Sequence, residues 1–120
     1  MRLADLVCAA PERVGTLLVH DADAGAEALA RGCVDLVVGG HVHVQVRPTR
    51  VEGADGAVGY SYTNGTTGGA AYAIAVGSKL RRPAGVSLVT YRDGRPVGVQ
   101  PVLIQTNGTF SVGPFSALTY

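Results

Sequence analysis

Apolar residues in this chain fall into short runs that end on glycine or a polar residue, and the pattern changes near residue 43. Residues 14–20 (VGTLLVH) and 34–38 (VDLVV) are compact apolar runs with β-branched members, the pattern of buried strands. Residues 21–32 (DADAGAEALARG) lie between them and predict a helix. Asp21 or Asp23 can cap it, acidic side chains suit its first turn, alanine and leucine fill its middle, and Gly32 can stop it. Strand, helix and strand over about thirty residues predict a βαβ unit. Ahead of it, residues 2–10 predict a short helix with Leu3, Leu6 and Val7 on one side, closed by Pro11.

Beyond residue 43 the period shortens to two. Val44, Val46 and Val51 alternate with Gln45, Arg47 and Arg50, a half-buried strand interrupted by Pro48. A turn at residues 52–56 (EGADG) leads into a returning strand over 58–63. Residues 63–71 form a small-residue loop, read as a connection, and 70–76 is an apolar run open to either strand or helix. The basic cluster 79–82 (KLRR) reads as a solvated loop. Residues 86–91 and 96–104 bracket Asp93-Gly94, a strong hairpin signal. Asn107-Gly108 predicts another turn before an edge strand at Phe110 and Val112, and residues from Pro114 read as a tail.

Composition supports one folded unit. The chain has 120 residues, 47% hydrophobic and 16% charged, which suits a small domain with a modest core and argues against disorder. A formal charge of +1 gives no electrostatic case for nucleic acid or for acidic membranes. No apolar run approaches bilayer length. Residues 1–10 make a poor signal peptide, which leaves the cytoplasm as the default expectation. Cys8 and Cys33 could form a disulfide in principle but are read as two small apolar residues in separate elements.

The chemistry concentrates at the ends of the two strands. Gly39 and Gly40 permit a sharp turn after the second strand, and His41 and His43 follow two positions apart. The third histidine of the chain, His20, closes the first strand. If the strands are parallel neighbours, His20 and His41 emerge at one sheet edge, where open α/β sheets place ligands. A neutral imidazole offers a lone pair to a metal ion, so the three histidines are candidate ligands. Asp21 reads as a helix cap, Asp35 as a polar residue at the start of a strand, and Asn64 as a turn residue.

A strand ending in His20, a helix, and then a strand followed by Gly40-His41-Val42-His43 resemble the C-terminal half of the calcineurin-like metallophosphoesterases. Residues 63–69 (TNGTTGG) look like the loop that follows the Gly-His-x-His motif in bacterial members. The resemblance covers residues 14–70 in detail. It implies a hydrolase that cleaves a phosphomonoester or phosphodiester with two divalent ions (Mn, Zn or Fe). His20 and His41 would bind one ion, His43 the other, and His41 would be catalytic.

The family's Asp-x-His, Gly-Asp-x-x-Asp and Gly-Asn-His motifs are absent from this sequence. The chain is therefore expected to be a back half or a shortened relative, weakly active alone. The implied architecture is α/β (α+β if taken alone), the C-terminal half of a four-layer α/β/β/α sandwich. One partial domain spans 1–120, with 1–43 a βαβ unit, 44–113 a β-rich part and 114–120 a tail. Its bare sheet face is expected to self-associate or to meet a matching N-terminal half. The alternative is a non-catalytic α+β module that binds metal weakly or serves only to pack against a partner.

Overall fold

The computed structural model describes residues 2–41, 44–65, 84–105 and 107–120. Its elements run α1 (Leu3–Cys8), β1 (Val14–Leu18), a 3-10 turn (Ala22–Gly25), α2 (Ala26–Ala30), β2 (Val34–Gly39), β3 (Val46–Glu52) and β4 (Val58–Thr63). A second group follows, with β5 (Ala84–Arg92), β6 (Arg95–Ile104), β7 (Phe110–Val112) and β8 (Ser116–Ala117). Among the described residues no helix is long and apolar enough to cross a membrane.

The βαβ unit forms as its pattern implies. β1 and β2 pair in parallel, with Val14 opposite Val34 and Leu18 opposite Val38. The helix predicted over 21–32 is divided. Asp21 accepts a hydrogen bond from the Asp23 amide (3.0 Å) and starts a 3-10 turn, and α2 begins only at Ala26. Gly25 explains the close approach at that break. A Cβ there would lie 2.6 Å from Val37, so the turn rests directly on β2. Gly32, at φ +75°, ends the helical segment in a left-handed conformation that glycine adopts without strain.

β2 also pairs in parallel with β4, and β3 pairs with β4 antiparallel, giving a four-stranded sheet in the order β1-β2-β4-β3. Pro48 does not end β3. It sits where the register shifts between Val46 and Thr49 on the sheet edge, a place where a residue without an N–H is tolerated. The second sheet is antiparallel, in the order β5-β6-β7, with β8 paired to β6. Its first hairpin turns through Asp93 and Gly94, both at positive φ as the Asp-Gly signal requires.

These layers enclose two cores. One lies between the helices and the first sheet and joins Ala4, Val7, Ala28, Leu29, Val34 and Val37. The other lies between the sheets and joins Leu36, Val58, Tyr60, Tyr62, Val99 and Leu118. Leu36 and Val38 thus face the second sheet while Val37 faces the helices, as alternation along a strand demands. The architecture is a small mixed α/β domain with two sheets and few helices.

Two expectations are corrected. Cys8 and Cys33 form a disulfide, with Cα atoms 5.1 Å apart. The packing of α1 on α2, which sequence spacing does not encode, carries the end of α1 to the residue before β2. Residues 114–120 are not a tail. β8 pairs with Gly98 and Val99, Leu118 is buried between the sheets, and Tyr60 Oη donates to the Thr119 carbonyl (2.7 Å). A two-residue strand is too short to leave a periodic trace in the sequence.

Candidate metal centre

The parallel pairing of β1 and β2 places the residues that follow them side by side. The ladder continues past the strands, with the Val19 amide donating to the Val38 carbonyl (2.9 Å). The His20 carbonyl then accepts from the amides of Gly40 (2.9 Å) and His41 (2.8 Å). These bonds fix both backbones, and the imidazoles of His20 and His41 come together with ring centroids 4.5 Å apart and planes tilted by 56°. The convergence expected from the strand-histidine pattern is present for this pair. His43 lies outside the described residues, as do the loop from residue 66, the run at 70–76 and the basic cluster at 79–82.

Gly39 makes the approach possible. A Cβ on Gly39 would sit 2.4 Å from the Ala22 backbone nitrogen, so the end of β2 packs tightly on the turn that follows His20. Among the described residues nothing beyond its chain neighbours lies within 4 Å of a Cβ built on Gly40.

The two rings stand at a separation usual for contacting aromatic side chains. Among the described residues no group of three His, Cys, Asp or Glu side chains forms that could hold a metal ion. Asp21 is used as the cap of the 3-10 turn. Asp35 belongs to the opposite end of β2, bound by Arg13 and Arg95.

Beside His20 a cleft of about 540 Å³ opens between the two sheets, lined by Leu18, Val38, Val86 and Val89 with Asn64 and Ser87 at its polar end. Asn64 holds that end together. Its amide donates to the carbonyls of Gly65 (2.8 Å) and Gly85 (2.9 Å), and its oxygen accepts from Ser87 Oγ (2.5 Å). Ser87 Oγ also bonds Tyr62 Oη (2.6 Å), and the Asn64 backbone amide donates to the Gly39 carbonyl (2.8 Å). The turn reading of Asn64 misses this work because its partners lie about twenty residues away. The signal that was available is weaker: a side-chain amide just after a strand of buried tyrosines needs partners.

Arg13, Asp35 and Arg95 were also missed as a unit. Arg13 binds Asp35 and donates to the carbonyls of Gly32 (3.0 Å), Val34 (3.2 Å) and Val58 (2.7 Å). Arg95 reaches the other carboxylate oxygen at 3.3 Å. This is a structural latch at the end of the sheet away from the histidines. Comparison of the chain with family models, with curated proteins and with solved structures finds no match.

Proposed function

We propose that this chain supplies histidine ligands to a divalent-metal centre that hydrolyses a phosphomonoester or phosphodiester. The observation that carries the reading is the pair of imidazoles at 4.5 Å on the carboxyl ends of adjacent parallel strands. His20 and His41 would hold one ion (Zn, Mn or Fe), with His43 a further ligand for it or for a second ion. Such ions neutralise a phosphate oxygen and make a bound water nucleophilic near neutral pH. The chain's own part is to hold together the two backbones that carry the imidazoles, through the doubly accepting His20 carbonyl and the tight Gly39–Ala22 contact. The organic part of the ester has room in the open groove beside His20, against apolar side chains of both sheets.

Among the described residues no carboxylate stands with the histidine pair to bridge two ions. Turnover of a generic aryl phosphate by this chain alone is therefore expected to be very low. The test is calorimetric titration with Zn²⁺ and Mn²⁺, beside the same titration of His41→Ala. Uptake that weakens at least about tenfold in the variant is the expected result, since even residues that merely orient metal ligands matter on that scale. Absence of uptake by the unaltered chain would sink the metal reading and leave the non-catalytic α+β module in its place.

A further inference from the structure

We infer that the Cys8–Cys33 bond is a redox-sensitive clip that keeps α1 on the first core, and that the native fold is that of an oxidising compartment. α1 has six residues and no side-chain cap, too few to hold a helix in isolation. It buries Ala4 and Val7, while Leu3 and Leu6 are 37% and 57% exposed. Among the described residues its ion pairs are Arg2–Glu27 and Asp5–Arg31, both at the surface, where such pairs contribute little. The covalent bond is the one strong restraint among these. It joins residues 25 apart and anchors α1 to the position next to Val34, which is fully buried.

The bond is not built for redox catalysis. The cysteines are far apart in sequence rather than in a Cys-x-x-Cys pair. They also sit at the amino end of β2, away from the histidines. Both cysteines of the chain are consumed, so no free thiol remains. Cytosolic reductants keep such pairs as thiols, whereas secreted and cell-surface chains retain them. A dithiol reductant breaks the bond in two exchanges. The reductant leaves as its own disulfide, and Cys8 and Cys33 gain two electrons and two protons as thiols. α1 then opens locally and withdraws Ala4 and Val7 from the first core.

The test uses the 120-residue chain exported into an oxidising compartment, alkylated under denaturing conditions before and after reduction, and then melted with and without a phosphine reductant. The expected result is no alkylation before reduction and two modified cysteines after it. Reduction should lower the Tm by roughly 10 °C. It should also speed amide exchange in residues 3–8 by about 100-fold while β2 and β4 stay protected. The double variant Cys8→Ser with Cys33→Ser should melt like the reduced chain. Should that variant fail to fold, the reduced unaltered chain still gives the comparison. Free thiols in the exported chain, or a reduced chain with unchanged melting and unchanged exchange in α1, would overturn the inference.

Discussion

Asp35 interrupts the apolar run of β2 with a carboxylate residue that is 5% exposed, and a charge so placed requires partners. Arg13 and Arg95 provide them from positions 22 residues before and 60 after. Nothing in the sequence links the three, because long-range ion pairs leave no periodic trace. The histidine pair was legible for the opposite reason. Each imidazole follows an apolar strand directly, and parallel pairing of those strands suffices to bring His20 and His41 together. Asp35→Asn keeps the shape and removes the charge that both guanidinium groups face. Breaking a buried ion pair costs about 3–5 kcal/mol. Here the arginine side chains are 29% and 45% exposed, and solvent would take up part of their charge. The expected loss is therefore about 2–3 kcal/mol, read as a lower urea midpoint with unchanged slope. An unaltered midpoint would mean that the latch is replaceable by water.

At the scale of elements, turns declared themselves and packing did not. Asp93-Gly94 marked its hairpin, and Asn107-Gly108 the turn before β7, because few residues accept positive φ. The break between the 3-10 turn and α2 was hidden, since it depends on Gly25 meeting Val37 rather than on helix propensity. The disulfide was hidden by the same logic, for it depends on α1 lying against α2. Asn64 joins these cases as the side chain that fastens β5 to the end of β4. Asn64→Ala deletes three hydrogen bonds and leaves Ser87 Oγ and the Gly85 carbonyl short of a partner. An expected loss of about 1–3 kcal/mol follows from exposing such groups unsatisfied. Amide exchange over residues 84–88 should accelerate more than exchange in the β6–β7 ladder. Equal acceleration throughout the second sheet would instead point to global destabilisation without a local fastening role.

At the scale of the whole molecule, the face of the first sheet that needed a cover receives one. Val99 and Leu118 of the second sheet and the last segment meet Leu36, Tyr60 and Tyr62 across it. The closing residues then bind the two sheets together around Tyr120. Its hydroxyl donates to the Pro96 carbonyl (2.6 Å), its ring stands edge-on to Tyr60 (5.7 Å), and the Arg95 guanidinium lies 3.7 Å over its face. Burial pushes the Tyr120 hydroxyl up to about 12, and the Asp35 carboxylate adds to the effect. The fold therefore prefers the neutral phenol. Below the ordinary tyrosine value of 10.0 this preference is present in full, because folded and unfolded chains both hold the proton. As the pH rises from 10 towards 12 the unfolded chain releases its proton first, and the contribution is lost. Urea unfolding at successive pH values should thus show stability falling across that window. Tyr120→Phe keeps the ring against Tyr60 and Arg95 but removes the hydroxyl that donates to Pro96. It should be about 1 kcal/mol less stable at neutral pH, the usual worth of one hydrogen bond, and should decline less steeply above pH 10. Parallel alkaline profiles for the two chains would show that Tyr120 does not hold its proton for the sake of the sheet-to-sheet contact.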